Sequence, residues 1–263
     1  MGKGDCMQIH QIRNATVKIT YAGNTFLVDP WLLPKDAMPG FEGAFHSEVR
    51  QPRVELPLPV AEIVKADAVI LTHVHPDHWD EMAANHIQKQ IPFFVQSQTD
   101  KTIIEKYGFT NVCILSETGT LFEGITLYKT PCQHGRKEIV KPMCEKMGMP
   151  YDAMGIVFKN SAEKTLYVAG DTIWCEEVKH TLDTYKPQVV LINACGASLL
   201  VGNGERLIMH KQDVDELASY IPQAQIIASH MDTVSHLTVT RQDIRSLGRP
   251  NVHVPEDNEV LSF

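Results

Sequence analysis

Three histidines and one aspartate fall within six residues of this chain, directly after a short apolar segment. The segment at 68–71 has the composition of a buried strand, and the motif His73-x-His75-x-Asp77-His78 follows it. In extended backbone, residues two positions apart share a face, so His73 and His75 can bind one ion. A proline then bends the chain, which turns Asp77 and His78 toward a second ion. Solvated loop residues would gain nothing from such crowding, so the motif predicts a metal site.

Strand and helix patterns alternate along most of the chain. Two β-rich runs at 16–21 and 25–29, joined by turn residues, predict a hairpin. Further strands are predicted at 68–71, 92–96, 111–115, 125–130, 155–158, 166–168, 189–192 and 225–228, with helices at 80–89, 99–107, 173–185 and 212–220. This alternation indicates an α/β fold. No linker-like stretch divides the 263 residues, so we predict a single domain over 1–263.

Prolines are concentrated between the hairpin and the motif. Six of the 15 prolines fall in the stretch 30–59. Proline lacks a backbone donor and disfavours long helices and central strands, so the segment 31–59 is predicted to be irregular. A long irregular segment in a compact protein is usually functional, which predicts a lid or a pocket wall.

Composition and charge argue against several classes of protein. No run of 18 apolar residues occurs, so no membrane-spanning helix and no membrane partner are expected. Residues 1–6 lack the apolar core of a signal peptide, and Cys6 stands where a myristoylation signal has Ser or Thr, so we expect a cytoplasmic protein. The net charge of -8 disfavours nucleic acid as a partner. The six cysteines form no C-x-x-C pair and are expected to be reduced thiols.

Three more candidate ligands lie just after apolar strands. His134, Asp171 and His230 each follow a predicted strand in the second half of the chain. In open α/β sheets, ligands gather beyond the carboxyl ends of the strands. Taken singly, each residue has another explanation, because a lone histidine is usually a satisfied polar group and Asp171 could cap the next helix. Together with the motif they supply seven donors, close to the roughly eight that two divalent ions need.

The order and spacing of these seven residues resemble the metallo-β-lactamase superfamily, from Asn14 to His236. The run FLVDP at 26–30 is similar to that superfamily's first motif, in which the aspartate is structural and lies under the metal loop. Within the superfamily, the segments 208–211 and 228–232 are most similar to the ascorbate 6-phosphate lactonase-like branch of metal-dependent hydrolases. The resemblance implies a four-layer αββα sandwich with the site at one edge of the sheets.

The resemblance also assigns a role to each donor. Three histidines would hold the first ion, a carboxylate and two histidines would hold the second, and another carboxylate would bridge them. These sets are His73, His75 and His134; Asp77, His78 and His230; and Asp171. Zinc suits this nitrogen and oxygen ligation best, and manganese, iron and nickel stay open. Class B lactamases with a cysteine ligand differ at Asp171 and flavodiiron proteins carry Glu in place of His75, so penicillin hydrolysis and redox chemistry are disfavoured.

The implied reaction is a hydrolysis. Two neighbouring cations lower the pKa of a shared water from about 16 toward about 7, which supplies hydroxide at neutral pH. We expect attack on an ester, lactone or phosphoester bond of a small metabolite, with Asp77 as the catalytic residue that orients the hydroxide and moves its proton. His210 resembles a position near the entrance of related sites and is a second catalytic and substrate-binding candidate, the alternative being a surface histidine at a helix start. His236 is a further substrate-binding candidate, the alternative being a solvated histidine in a loop.

Weaker signals surround the predicted site. After His134 the chain carries four basic and two acidic side chains, a local charge of +2 that either steers an anionic substrate or belongs to a solvated face. The residues are Arg136, Lys137, Lys141 and Lys146 against Glu138 and Glu145. Trp79 and Trp174 either wall the pocket or pack in the core. Cys195 is expected to be a buried structural thiol.

Two other functions fit the same residues. A nuclease or phosphodiesterase acting on nucleic acid would need a basic track leading to the metals, which the acidic composition does not favour. A metal-binding sensor without turnover is the third hypothesis, and the complete set of seven donors argues against it. The sequence leaves a homo-oligomer open.

Overall fold

The computed structural model describes residues 6–263, which contain fourteen strands and seven helices. The strands are β1 (Gln8–Arg13), β2 (Thr16–Tyr21), β3 (Asn24–Val28), β4 (Ala68–Ile70), β5 (Phe93–Val95), β6 (Val112–Ile114), β7 (Thr120–Phe122), β8 (Ile125–Pro131), β9 (Met154–Lys159), β10 (Leu166–Val168), β11 (Val189–Asn193), β12 (Gln225–Ser229), β13 (Val252–His253) and β14 (Val260–Ser262). The helices are α1 (Val60–Ile63), α2 (Glu81–His86), α3 (Gln98–Lys106), α4 (Lys137–Lys146), α5 (Glu176–Tyr185), α6 (Lys211–Tyr220) and α7 (Arg241–Arg245).

The strands form two seven-stranded sheets. The strand order is β14-β1-β2-β3-β4-β5-β6 in the first sheet and β13-β12-β11-β10-β9-β8-β7 in the second. Both sheets are mixed, because β3 to β6 and β10 to β13 run parallel while the remaining pairs are antiparallel. Helices α2 and α3 pack on the outer face of the first sheet, and α5 and α6 pack on that of the second. The predicted α/β fold, a four-layer αββα sandwich in one domain, is confirmed.

Apolar side chains fill the space between the two sheets. Phe26 of β3 packs edge-on against Phe158 of β9, with ring centroids 5.2 Å apart. The central parallel strands β4, β5, β10 and β11 are buried at every residue. Strands covered on both faces are expected to be continuously apolar, which is why the sequence predicts them well.

The irregular segment 31–59 contains no helix and no strand of either sheet, as its prolines predict. It is nevertheless anchored to the sandwich. The buried Arg13 guanidinium donates hydrogen bonds to the backbone oxygens of Trp31 and Leu33 at 2.9 Å and of Val54 at 3.0 Å. Near its other end, the Gln51 side chain accepts a hydrogen bond from the backbone of Ser235 at 3.0 Å. The segment is therefore tied to β1 of the first sheet and to the loop that follows β12 of the second.

The structure adds elements that the sequence patterns do not predict: β1, β7, β13, β14, α1, α4 and α7. Strands β7, β13 and β14 have two or three residues and lie at sheet edges, and β1 (QIHQIR) is rich in polar residues. The helix predicted at 173–185 begins only at Glu176, because Cys175 is its extended N-cap residue. Short or polar elements leave little periodicity in a sequence.

No helix within residues 6–263 combines the length and the apolar character needed to cross a bilayer. The longest helices in this part of the chain have ten residues. Residues 1–5, which carry most of the prediction against a signal peptide, lie outside the described residues, and the cytoplasmic location stays a prediction.

Candidate metal centre

The predicted metal ligands lie at the ends of strands from both sheets. The motif at 73–78 follows β4 of the first sheet, while His134, Asp171 and His230 follow β8, β10 and β12 of the second. None of the seven side chains is more than 7% exposed. Four separate parts of the chain thus meet in one buried cluster at an edge of the sandwich.

Three histidines form the first group of the cluster. The ligand atoms of His73, His75 and His134 all lie within 4.8 Å of one another. Burial, aided by neighbouring histidines, lowers the pKa of His73 well below its ordinary value and lowers the pKa of His75 to about 4. These rings are therefore neutral at pH 7, and the neutral ring is the form that binds a metal.

One carboxylate and two histidines form the second group, with ligand atoms of Asp77, His78 and His230 also within 4.8 Å of one another. The His230 Nε2 atom lies 3.5 Å from Asp77 Oδ2 and 3.2 Å from His78 Nε2. Burial by itself raises the pKa of Asp77, but His78 and His230 outweigh it and hold that pKa well below the ordinary value. Asp77 is therefore ionised, as a metal ligand must be.

Asp171 lies between the two groups. Its Oδ2 atom is 3.3 Å from Nε2 of His78 and 3.8 Å from Nε2 of His73. His73, His78 and Asp171 form a further set whose ligand atoms lie within 4.8 Å of one another. One carboxylate oxygen thus reaches a histidine of each group, which is the position that a bridging ligand requires.

Each histidine of the cluster has one ring nitrogen in contact with a protein atom outside the cluster. The partners are Thr72 Oγ1 for His73 at 3.0 Å, the Pro150 carbonyl for His75 at 2.7 Å, Asp29 for His78 at 2.9 Å, the Leu207 carbonyl for His134 at 3.1 Å and Cys195 Sγ for His230 at 3.4 Å. Such partners fix the tautomer and the orientation of metal-binding histidines. The other ring nitrogen of His73, His78 and His230, Nε2 in each case, lies 3.3–3.8 Å from a carboxylate oxygen of Asp171 or Asp77.

The centre of the cluster contains a polar atom that the polypeptide does not satisfy. The His73 Nε2 atom is buried and has no hydrogen-bond partner. A buried polar atom left unpaired costs about 1–3 kcal/mol. A cation among these atoms would pair with His73 and offset the repulsion between the Asp77 and Asp171 carboxylates. The donor set therefore fits divalent metal ions.

The Asp29 side chain contacts residues at both ends of the segment 72–78, which contains the motif. Its carboxylate accepts hydrogen bonds from the backbone and the hydroxyl of Thr72, both at 2.7 Å, and contacts His78 Nδ1 at 2.9 Å. One side chain thereby fixes the start of the motif and the ring of a candidate ligand. This is the structural place that the resemblance implies for the aspartate of the FLVDP run.

A cavity opens onto the cluster of candidate ligands. Its floor is polar and consists of His75, Asp77, His134 and Asp171, with His236 beside them. Its wall is almost entirely apolar and consists of Phe41, Ala44, Val140, Met143, Cys144, Met147, Met149, Leu199 and Leu207. We call these two sets the cavity floor and the cavity wall. Glu42, which is exposed, also lines the cavity. Among the described residues, no lysine or arginine side chain lines the cavity.

Helix α4 supplies much of the cavity wall. Val140, Met143, Cys144 and Met147 recur at the spacing of one helix face, with Met147 at the helix end. This spacing is typical of a helix, but Pro142 inside it argues against one, and α4 is not among the helices predicted from the sequence. The irregular segment 31–59 contributes Phe41 and Ala44, so its prediction as a pocket wall is confirmed.

Comparison with known proteins identifies the family to which this geometry belongs. A family model described as the beta-lactamase superfamily domain matches residues 24–231. The UPF0173 protein YddR of Bacillus subtilis is 38% identical over 268 residues, which cover 98% of this chain and 100% of that protein. The chain belongs to the beta-lactamase superfamily, in the UPF0173 family of metal-dependent hydrolases.

Two solved structures share the fold of this hydrolase over nearly its whole length. A possible metal-dependent hydrolase from Veillonella parvula is 40% identical, with a TM-score of 0.92, and the match covers 98% of this chain and 100% of that one. An isothiocyanate hydrolase from Delia radicum gut bacteria is 37% identical, with a TM-score of 0.91 and coverage of 98% and 99%. The chain is an enzyme, a metal-dependent hydrolase, and the lactonase-like branch stays a prediction.

His236 lines the cavity of the hydrolase, whereas His210 lies apart from it. The His236 ring packs edge-on against Phe41 at 5.1 Å, and its buried Nδ1 has no hydrogen-bond partner. Burial lowers the pKa of His236 to about 4, so the ring is neutral at pH 7. His210 precedes α6, and its Nε2 contacts the hydroxyls of Ser198 at 3.1 Å and Thr238 at 3.2 Å. His236 is therefore well placed to contact a substrate. Its substrate-binding role, and the catalytic and substrate-binding roles of His210, stay predictions.

The other predicted pocket residues of the hydrolase lie elsewhere. Trp79 is 5% exposed and packs edge-on against Phe93 and Phe109 in the apolar layer outside the first sheet. Trp174 contacts Tyr220, with ring centroids 5.5 Å apart. Neither tryptophan lines the cavity, so the packing interpretation applies to both. Cys195 is buried, as predicted.

The basic residues after His134 do not face the cavity either. They lie on or beside α4, whose cavity side is apolar. Arg136 is bound to Glu205, with Nη2 and Oε2 2.6 Å apart. Lys141 pairs with Glu145 on the helix surface at 3.7 Å. The solvated-face interpretation of this charge therefore agrees with the structure.

Two asparagines contact candidate ligands without being predicted to do so. Asn193 donates a hydrogen bond to Asp171 Oδ1 at 2.6 Å, and Asn14 donates one to the Asp77 backbone oxygen at 3.0 Å. Asn193 ends the otherwise apolar strand β11, and a polar residue at the carboxyl end of a buried strand is a usable signal. Asn14 lies in a hairpin turn, where asparagine is common, so its position in the sequence gives no indication of a contact with the site.

Proposed function

We propose that this hydrolase binds two divalent ions and cleaves a small, neutral, apolar substrate, with an isothiocyanate as the best candidate. The observation that carries the proposal is the pairing of a polar, ligand-rich cavity floor with an apolar cavity wall. The floor supplies hydrolytic chemistry, and the wall selects what reaches it.

The two ions would be held by the two groups of ligands described above. His73, His75 and His134 would hold one ion. Asp77, His78 and His230 would hold the other, with Asp171 shared between them. Zinc is the first candidate for this set of imidazoles and carboxylates, and manganese, iron and nickel are the alternatives. When bound, such ions make a nucleophilic water available at neutral pH and stabilise developing negative charge.

The residues of the chain itself perform three tasks in this proposal. Asp77 lies in both the ligand cluster and the cavity floor, so its carboxylate can accept a proton from the attacking water. His236 offers the substrate a neutral ring with one donor and one acceptor. The apolar wall, including Met143 and Leu207, keeps bulk water away from the reacting atoms.

The chemistry of the cavity favours an uncharged substrate. Glu42 is the charged residue beyond the floor and would repel an anion. An isothiocyanate is neutral and apolar, and its central carbon is electrophilic. In its hydrolysis the water oxygen bonds to that carbon, both protons end on nitrogen and the carbon–nitrogen bond breaks, which gives a primary amine and carbonyl sulfide. The 37% identical isothiocyanate hydrolase supports this choice.

The substrates expected from the sequence resemblance are supported less well. A sugar-phosphate lactone or a phosphoester carries negative charge, and the cavity lining in the described chain offers no lysine or arginine to bind it. A nucleic acid would meet the same difficulty, in a protein with a net charge of -8. Neutral esters and lactones fit the wall and serve as comparison substrates.

The test is a substrate panel with metal-loaded purified protein. Allyl and phenethyl isothiocyanate, a neutral lactone, a phosphodiester and a penicillin are compared, with amine and carbonyl sulfide measured by chromatography. We expect the highest kcat/KM on the isothiocyanates and loss of that activity after chelation. A preference for the phosphodiester, or equal activity with and without metal, would contradict the proposal.

A further inference from the structure

Asn14 joins two candidate ligands that come from different sheets. It is fully buried in the turn between β1 and β2, with a left-handed backbone at φ +56°. Its side-chain Nδ2 donates a hydrogen bond to the backbone oxygen of Asp77 at 3.0 Å and lies 3.4 Å from Nε2 of His230. The amide therefore touches both ends of the second ligand group.

The backbone of Asn14 also fixes the residue that carries the His230 ring. The backbone oxygen of Asn14 accepts hydrogen bonds from the His230 backbone N–H at 3.0 Å and from the Ser229 hydroxyl at 2.9 Å. His230 itself has a left-handed backbone at φ +64°, which is uncommon for a non-glycine residue. The contact with Asn14 stabilises this conformation, and the conformation directs the ring toward Asp77.

The contacts of Asn14 matter because Asp77 and His230 follow strands of different sheets. Asp77 follows β4 of the first sheet and His230 follows β12 of the second. The two sheets pack through apolar side chains, and such packing is less directional than a hydrogen bond. A polar link between the two loops can therefore set a distance that the sheets alone leave free.

We propose that Asn14 is a positioning residue that holds Asp77 and His230 at the separation needed to bind one of the two metal ions. This rests on the two-ion part of the proposed function and is independent of the substrate. The partners that orient metal ligands typically contribute about 10–100-fold to metal affinity.

The experiment must separate positioning from a simple role in the turn. Asn and Gly both tolerate a left-handed backbone, so Asn14→Gly keeps the turn and removes the amide. Asn14→Ser keeps a polar residue that is too short to reach both partners. Asn258→Gly is the matched control, because Asn258 is also an asparagine with positive φ, at +72°, but is exposed and contacts His10.

Cobalt binding to the metal-free proteins is followed by visible absorption, and melting temperatures of the metal-free forms report on the fold. We expect Asn14→Gly and Asn14→Ser to weaken one cobalt-binding step by about 10–100-fold and leave the other unchanged, with Asn258→Gly binding as the wild type does. Wild-type affinity in a folded Asn14→Gly protein would overturn the proposal. If the wild type showed a single binding step, the two-ion function would be contradicted, and a normal affinity in the variants would still decide against Asn14.

Discussion

The floor and the wall of the cavity are held in place by different forces. Each side chain of the floor follows a strand of one of the sheets. The floor histidines His75 and His134 make polar contacts with backbone carbonyls at 2.7 and 3.1 Å. The wall comes from the irregular segment 31–59, from α4 and from the loop around Leu199, and its contacts are apolar. Methionines such as Met143 and Met147 adapt to irregular shapes. The comparison indicates a rigid site for chemistry beneath an adaptable site for substrate binding.

If the floor performs the chemistry, the largest loss should follow a change at Asp77. We expect Asp77→Ala to reduce kcat by about 10²–10⁴-fold, because the carboxylate that accepts the proton is removed. At least one ion should stay bound, since His73, His75 and His134 are untouched. Steady-state kinetics and elemental analysis of the same preparation measure both quantities.

The control for this variant is Asp152→Ala, which changes an exposed aspartate outside the cavity lining. It should leave kcat and metal content unchanged. Full activity of Asp77→Ala on the best substrate would show that the carboxylate has no part in turnover and would break the assignment of chemistry to the floor.

The floor also depends on side chains that do not bind metal. Asn193→Ala removes the hydrogen bond of 2.6 Å to Asp171 Oδ1, and we expect metal affinity to fall by about 10–100-fold. Competition with a chelator measures the affinity. Asn160→Ala is the control, because Asn160 donates to the Gly124 carbonyl far along the second sheet. Unchanged affinity in Asn193→Ala would show that Asp171 is positioned by its other neighbours alone.

The same contrast explains what could be predicted from the sequence. The candidate ligands follow apolar strands, and strand ends in an α/β fold converge, so His73, His134, Asp171 and His230 could be placed together before their distances were known. The spacing within the motif and the family resemblance added the grouping of the ligands. Continuous apolar runs in the buried strands, alternating with helical patterns, indicated an α/β fold, and the resemblance implied the four-layer sandwich.

The segment 31–59 was predicted to be a lid or a pocket wall, but the individual residues of the cavity wall could not be predicted because they carry weak local signals. Phe41 lies in a segment without periodicity, and Pro142 conceals the apolar face of α4. The lysines of α4 suggested a charged surface near the site, whereas the packing of that helix turns its apolar face inward. Contacts such as that of Asn14 with His230 join residues 216 positions apart and leave no local pattern.

A change in the wall should affect substrate binding and spare the chemistry. Met143→Ala removes apolar contact without disturbing the helix, because alanine is the best helix former. We expect KM for an apolar isothiocyanate to rise about tenfold with kcat nearly unchanged, the pattern of lost uniform binding. Met82→Ala is the matched control, since Met82 is a half-buried helical methionine of α2 outside the cavity lining. A fall in kcat with constant KM would mean that the wall takes part in the reaction step.

The smallest effect is expected at the outer surface of the wall. Lys141 is about half exposed and pairs with Glu145 at 3.7 Å, so water and salt screen its charge from the cavity. The double change Lys141→Gln and Lys146→Gln should therefore alter kcat/KM for a neutral substrate by less than about twofold. Measurement at low and high ionic strength sharpens the test, because steering of an anion weakens with salt whereas apolar binding does not. If the double variant lost activity on an anionic substrate mainly at low salt, α4 would guide substrates by charge as well as by its apolar face, and the division between floor and wall would be incomplete.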